Sequence, residues 1–187
     1  MKYLNGNQVN FEKKLDLILS KRKLDQNLNS QNIKFIINDI KKNGDKSLLK
    51  YEKKFSKIKT KNNKIKFSKK EISDISKKTN SKLKGSIDIA FKRIKKFHLN
   101  QKFFPFKFRD QYKNELSYKY SPIENVGVYV PGGTASYPST VLMNCIPALV
   151  AGVKNIFMTT PCLGKTVNPA VIYAAKKCGV KEIYKIG

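Results

Sequence analysis

Apolar residues in the first part of the chain recur every three or four positions among lysines, the spacing of one face of a helix. The pattern holds from Val9 to about Gln101, and the run Asn43-Gly44-Asp45 suits the end of one helix and the start of the next. Ser68 and Glu71 have the spacing of a capping box ahead of a further apolar run. A later helix is predicted to carry Ile87, Phe91, Ile94 and Phe97. This part of the chain is therefore predicted to be mainly helical.

A stretch from Phe103 to Tyr120 loses the helical period and alternates aromatic with polar residues. Such alternation favours extended chain or a hairpin. We place a boundary near Ser121-Pro122, which predicts a lysine-rich, mainly helical segment over residues 1–120 and a second segment over 121–187.

The second segment alternates short apolar runs with helical patterns. Strands are predicted at Val126–Val130, Ile156–Thr159 and Glu182–Ile186. The order β-α-β-α-β implies a parallel sheet with right-handed crossovers. We expect the third strand to leave an exposed edge, which normally gains a neighbour.

Two helices are predicted between these strands. The first begins at Pro138, with Ser136 as its cap, and ends at Gly152; Pro147 inside it predicts a kink or an early end. The second follows Asn168 as cap and Pro169 in the first turn, and it runs to Cys178.

The charge of the chain is concentrated in the helical segment. The formal net charge of the chain is +26, yet residues 121–187 include only 6 basic and 2 acidic residues. Nearly all of the basic residues are lysines, which lack the planar fork that pairs bidentately with guanine. We therefore favour a solvated lysine surface and disfavour nucleic acid as a partner, while a site for nucleic acid or another polyanion stays open as the alternative function.

Three cysteines, Cys145, Cys162 and Cys178, form no C-x-x-C pair and have no nearby histidine. They are predicted to be reduced thiols in or near the core. The N-terminus has no signal-peptide pattern, and the longest apolar stretch falls short of the roughly 20 residues that span a membrane. A cytoplasmic protein without a membrane segment is expected.

The candidate binding site lies at the end of the first predicted strand, Tyr129-Val130-Pro131-Gly132-Gly133-Thr134. Ligands of open parallel sheets bind at the carboxyl ends of strands, and adjacent glycines let the backbone approach a ligand closely. The run is not the G-x-G-x-x-G fingerprint, so an ordinary strand-to-helix turn remains an alternative. His98, the one histidine, is predicted to be a packing or surface residue because one histidine cannot build a zinc site alone.

A long signature resembles that of the histidinol dehydrogenase family. It consists of Val126-Gly127-Val128-Tyr129-Val130-Pro131-Gly132-Gly133-Thr134-Ala135 and Pro138-Ser139-Thr140-Val141-Leu142-Met143. The likeness continues strongly after this signature, through Thr160-Pro161, Asn168-Pro169 and Ile183-Tyr184-Lys185-Ile186-Gly187. Before the signature it is looser and includes Asn43-Gly44-Asp45 and Phe97-His98 with Gln101.

The resemblance implies an α/β fold in which the helical segment precedes a partial Rossmann-like NAD-binding domain, similar to the fold of aldehyde dehydrogenases. It implies two successive NAD-dependent oxidations, from L-histidinol to L-histidine in histidine biosynthesis, by a zinc-containing homodimer. Tyr129, Pro131, Gly132 and Gly133 are the implied cofactor-binding residues. The family's zinc ligands and its Glu-His acid–base pair fall after residue 187, so we expect no catalytic or metal-binding residue here and doubt that these residues alone turn over substrate. An assembly-only role stays open as a third alternative.

Overall fold

The computed structural model describes Leu4 and residues 6–56, 65–132, 137–162 and 167–187, without the side chains of residues 21–30. Its helices are α1 (Phe11–Asn43), α2 (Asp45–Phe55), α3 (Lys69–Lys77), α4 (Ser81–Leu99), α5 (Pro138–Ala151) and α6 (Pro169–Lys177). Its strands are β1 (Phe106–Arg109), β2 (Glu115–Tyr118), β3 (Asn125–Tyr129), β4 (Asn155–Thr159) and β5 (Glu182–Tyr184). The alternation predicted from the sequence is confirmed.

The chain divides into two compact units, one ending at Tyr51 and the other comprising Glu52–Gly187. The boundary that the sequence analysis places between residues 120 and 121 marks a change of sequence pattern. As a domain boundary it stays a prediction. Helices α3 and α4 belong to the same unit as the parallel strands and pack against α5 and α6.

In the first unit, a hydrogen-bond network around Asp39 joins the end of α1 to α2. The Asp39 carboxylate accepts from the Tyr51 hydroxyl at 2.7 Å and from the Ser47 hydroxyl at 3.0 Å. Gly44 lies between the two helices with φ +57°, a conformation that glycine adopts without steric cost. Several apolar side chains of the predicted α1 face, including Leu15, Ile18 and Leu19, are exposed.

The second unit contains a parallel sheet of order β3-β4-β5. Val128, Met158 and Ile183 lie side by side in register, and all three are buried. Both crossovers advance in the same direction across the sheet, so right-handed connections place α5 and α6 on one face. The core lies between that face and the helices.

The opposite face of β3 carries Gly127 and Tyr129, both exposed, whereas Val128 and Val130 are buried. The backbone of β3 also has two sides. Glu124 accepts a hydrogen bond from Asn155, and Val130 donates one to Thr159, so the even-numbered residues bond to β4. The odd-numbered residues direct their N–H and C=O groups away from it. Within the described part of the chain, no strand pairs with that outer edge of β3.

The edge of β5 is not free, and this corrects the expectation from the sequence. Residues 65–67 run antiparallel along β5, with a bridge between Lys66 and Tyr184. The Phe67 N–H donates to Ile183 at 2.9 Å, and the Lys185 N–H donates to Ile65 at 2.7 Å. The exposed edge of this half-sheet is therefore β3 and not β5.

Helix caps follow the sequence closely. Ser68 and Glu71 form the predicted capping box of α3, and Asn168 caps α6 by accepting from Ala170 at 2.8 Å. Helix α5 begins at Pro138 and ends at Gly152 as predicted, and it continues past Pro147 to Ala151 instead of ending early. Its N-cap is Tyr137, whose side chain makes no capping bond. The predicted cap, Ser136, lies outside the described residues.

Strands β1 and β2 form the hairpin that the aromatic alternation indicates. They pair antiparallel with Phe106 opposite Tyr118 and Phe108 opposite Leu116. All eight strand residues are exposed. No helix among the described residues is both long and apolar enough to cross a membrane.

Candidate functional site at the carboxyl ends of the parallel strands

Three chain segments converge where the parallel strands end. They are Pro131-Gly132 after β3, Pro161-Cys162 after β4 and Lys185-Ile186-Gly187 after β5. Pro161 lies between the other two, because a Cβ atom added at Gly132 would lie 2.6 Å from its Cγ, and one added at Gly187 would also collide with its ring. The convergence of these segments requires glycine at position 132.

Tyr129 ends β3 beside this convergence. It lies in register with Thr159 and Tyr184, on the sheet face away from α5 and α6, and its side chain is 57% exposed. An exposed aromatic ring beside closely approached backbone can stack on a planar ligand and offer a hydroxyl to it.

The start of α5 adds electrostatic character to the same edge. Pro138 occupies the first turn, and the side chain of the N-cap residue, Tyr137, makes no capping bond. A helix N-terminus carries partial positive charge and free N–H groups, which favour phosphate. Gly133, the remaining predicted cofactor residue, lies outside the described residues.

Two carboxylates contact the chain at the end of β5, the buried Glu52 and the half-exposed Glu71. Glu52 is buried and accepts hydrogen bonds from the Gly187 N–H at 2.9 Å and from the Ser56 hydroxyl at 2.8 Å. Glu71 is held ionised, with its pKa lowered to about 2, first by the backbone N–H of Ser68 and then by the Lys185 ammonium 2.9 Å away. Lys185 also lies 4.4 Å above the Phe67 ring. These contacts fix the chain at the end of β5.

Cys162 is not a nucleophile at neutral pH. Burial raises the pKa of its thiol to about 11, and the charges of Glu52 and Glu71 act in the same direction, against the opposing effect of Lys185. A thiol that stays protonated is inert in nucleophilic chemistry. The prediction of reduced core thiols is confirmed, since all three cysteines are free and buried.

His98 lies away from the candidate site. It lines an open groove together with Pro122 and Gly152, which precede β3 and β4 and so mark the amino ends of the strands. Its Nδ1 lies 2.7 Å from Oε1 of Gln101. Nowhere in the described ranges do three or more His, Cys, Asp or Glu side chains form a group that could hold a metal ion.

The structure thus brings together Tyr129, Pro131 and Gly132 from the predicted set, and it adds Pro161, Glu52 and Lys185. Pro161 could have been found from the sequence, because parallel strands end at the same edge of a sheet and Pro161 follows β4 as Pro131 follows β3. Nothing in the helical pattern around Glu52 distinguishes it from its neighbours.

Comparison with known proteins gives the family. The family model described as histidinol dehydrogenase matches residues 19–187. The chain belongs to the histidinol dehydrogenase family.

Individual histidinol dehydrogenases are similar in sequence to this chain over nearly all of its length. The histidinol dehydrogenase of Pelagibacter ubique (strain HTCC1062) is 53% identical over 187 residues, which are 100% of this chain and 43% of that protein. That of Agrobacterium fabrum (strain C58 / ATCC 33970) is 39% identical over 99% of this chain and 43% of its own length. The chain therefore spans less than half the length of these histidinol dehydrogenases.

The solved structure of a histidinol dehydrogenase from Elizabethkingia anophelis has the same fold over most of this chain. Its TM-score is 0.78 at 40% sequence identity, and the match covers 84% of this chain and 36% of that one. The resemblance stated from the signature is confirmed by all three comparisons.

Proposed function

We propose that this chain provides an NAD-binding part of a histidinol dehydrogenase, an oxidoreductase that converts L-histidinol to L-histidine with NAD as hydride acceptor. The observation that carries the proposal is the convergence of Pro131-Gly132 and Pro161 beside the exposed Tyr129. The family membership of the chain supports the choice of substrate.

NAD fits the residues at this edge. Because Gly132 has no side chain, Pro161 approaches its backbone closely, and the two strand ends meet beside Tyr129. The start of α5, where the Tyr137 side chain makes no capping bond, can offer N–H groups to a pyrophosphate, and Tyr129 offers an aromatic face to a planar ring. When bound, NAD would accept the hydride, while Tyr129, Pro131, Gly132 and, by the family signature, Gly133 would hold and orient it.

Zinc does not fit the described residues, which form no group of metal-ligating side chains. Four further properties remain proposals that rest on family membership. They are the family's acid–base and zinc chemistry, its homodimeric assembly, the likeness to the fold of aldehyde dehydrogenases and a cytoplasmic location.

The test is calorimetric titration of the chain with NAD, comparing wild type with Tyr129→Ala and with Tyr112→Ala. Tyr112 is 77% exposed in the β1–β2 turn and serves as the matched control, because the same side chain is removed away from the strand ends. We expect Tyr129→Ala to weaken binding at least about tenfold, the loss expected for a stacked ring worth more than about 1.4 kcal/mol, and Tyr112→Ala to leave it unchanged. Equal affinity in all three proteins would refute the assignment of Tyr129.

An activity assay separates binding from chemistry. NADH formation from L-histidinol, measured with zinc present, is expected to be absent for residues 1–187 alone. Turnover by this chain would show that the acid–base groups lie within it, contrary to the proposal.

A polyanion-binding function is the second candidate. Lys77, Lys84, Lys176 and Lys177 line a hollow of about 410 Å³ between α3 and α6. Two of these ammonium groups already have partners, since Lys84 donates to the Lys77 carbonyl at 3.1 Å and Lys177 pairs with Asp88 at 3.0 Å. This arrangement favours structural roles for the two lysines, with Lys84 capping the end of α3 and Lys177 pairing α6 with α4. Heparin binding that falls steeply with salt, together with no NAD binding, would favour the polyanion function instead.

A further inference from the structure

A buried carboxyl group holds the chain that follows β5. Glu52 is 6% exposed, and each oxygen of its side chain has its own partner. One oxygen accepts from the Gly187 N–H at 2.9 Å, and the other accepts from the Ser56 hydroxyl at 2.8 Å. Among the described residues, no ammonium or guanidinium group forms an ion pair with this side chain. Burial of a carboxyl group is costly unless hydrogen bonds compensate it, so these two bonds fix both Glu52 and its partners.

Gly187 in turn packs against the ring of Pro161. A Cβ atom added at Gly187 would collide with Pro161 and would lie 2.9 Å from its Cγ atom. A Cβ atom added at Gly132 would lie 2.6 Å from the same Cγ atom. The proline ring is therefore confined between two glycine backbones, and Glu52 holds one of them.

The strand ladder does not itself hold this ring in place. The hydrogen bonds between β4 and β5 extend to Thr160, whose N–H donates to the Tyr184 carbonyl at 3.0 Å. Pro161 follows directly and has no N–H to continue the ladder. Its position therefore depends on the two glycine backbones that it contacts, and release of Gly187 would remove one of them.

We propose that Glu52 is a positioning residue of the candidate site: by holding Gly187, it keeps Pro161 against Gly132 beside Tyr129. The inference rests on the proposed NAD-binding function and deepens it. Glu52 is buried and acts through its neighbours, so it determines the fraction of molecules in which the strand ends lie together. The apparent dissociation constant of a ligand that needs this arrangement rises as that fraction falls.

Two substitutions at position 52 separate the hydrogen bond from the charge and the volume. Glu52→Gln and Glu52→Met are both uncharged, and both have an unbranched side chain of similar length. The amide oxygen of glutamine can accept from the Gly187 N–H, whereas the methionine sulfur is only a weak acceptor. Glutamine is thus the matched control for methionine, and a difference between the two variants measures the loss of the acceptor.

Alkylation of Cys162 by iodoacetamide is the first measurement, because this cysteine follows Pro161 directly and is 4% exposed. Cys145 in α5 and Cys178 at the end of α6 are also buried and report on the rest of the core. We expect Cys162 to react at least about tenfold faster in Glu52→Met than in Glu52→Gln, because a buried donor without an acceptor costs a factor of that size. Cys145 and Cys178 should react equally in both variants.

Calorimetric titration with NAD is the second measurement. The dissociation constant should be at least about threefold higher for Glu52→Met than for Glu52→Gln, which corresponds to the strand ends lying together in about one third of the molecules. Tyr129→Ala, titrated in parallel, should weaken NAD binding and leave the alkylation of Cys162 as in wild type. Gly187→Ala should raise the alkylation rate of Cys162 and weaken NAD binding with Glu52 intact, because its Cβ atom would collide with Pro161.

Gly187 is exposed, so Gly187→Ala remains informative if circular dichroism shows that Glu52→Met is unfolded. The proposal is wrong if Cys162 reacts equally in both Glu52 variants, or if all three cysteines react faster to the same extent, as a general loss of stability would produce. It is also wrong if Tyr129→Ala weakens NAD binding and Glu52→Met does not. Absence of NAD binding in wild type would refute the proposed function instead, and the alkylation of Cys162 would then still decide whether Glu52 holds Pro161.

Discussion

Replacing Gly132 by alanine tests how tightly the ends of β3 and β4 pack together. A Cβ atom at this position would lie 2.6 Å from Cγ and 3.1 Å from the carbonyl oxygen of Pro161. The proline ring is rigid, so relief requires the two chain segments to move apart. Overpacking of this kind costs about 1–3 kcal/mol. Gly132 is not among the glycines with positive φ, so alanine also reduces the entropy of the unfolded chain and offsets about 0.4–1 kcal/mol of that cost.

The expected result is a net loss of about 1–2 kcal/mol in the free energy of unfolding, measured by urea denaturation with circular dichroism. Gly127→Ala is the matched control on the same strand, because a Cβ atom there would meet no atom within 4 Å. That substitution should leave stability unchanged or raise it by up to about 1 kcal/mol. If Gly132→Ala proves as stable as Gly127→Ala, the close approach of Gly132 to Pro161 is wrong, and with it the main geometric support for the cofactor site.

Two further predictions concern titratable groups. The pKa of Asp39 lies far below its ordinary value, first because its carboxylate accepts a hydrogen bond from the Tyr51 hydroxyl. The stability that this carboxylate contributes is therefore present above about pH 4 and is lost as the pH falls towards the folded-state pKa. Urea denaturation should therefore show a larger difference between wild type and Asp39→Asn at pH 7 than at about pH 3, where the carboxyl of the unfolded chain is mostly protonated, and an equal difference at both would contradict this account. Cys145, Cys162 and Cys178 are buried, and burial raises the pKa of Cys162 to about 11. A thiol reagent should therefore label the native chain slowly and should label all three cysteines once the chain is unfolded. Rapid labelling of the native chain would show that the cysteines are accessible.

Local signals in the sequence were sufficient for most element boundaries. The capping box at Ser68 and Glu71, the Asn168-Pro169 start of α6 and the Gly152 end of α5 lie where the sequence predicts, because each depends on hydrogen bonds between residues a few positions apart. Pro147 was less informative. The helix continues for four residues beyond it, and Ile146 and Leu142 on the same helix are fully buried in the core. Tertiary packing there outweighs the hydrogen bond that a proline removes.

The covered edge of β5 could not be predicted, because its cause is distant in sequence. Residues 65–67 show no alternation that distinguishes a strand, and their partners lie more than a hundred positions later. The geometry of the proposed cofactor site was only partly predictable for the same reason. The glycines mark the end of β3, but the position of Pro161 against Gly132 depends on the register of two strands.

The antiparallel segment on β5 also determines where this chain could be divided. Residues 65–67 place Phe67 in the same buried cluster as Met158 and Ile183, and the helices that follow them contribute Ile87 to it. A piece starting at residue 121 would keep every parallel strand and yet expose both outer edges of the sheet and the outer surfaces of α5 and α6. We expect it to aggregate, whereas a piece starting before residue 65 should remain folded. The smallest stable unit of the parallel sheet therefore begins well ahead of the segment that carries the family signature.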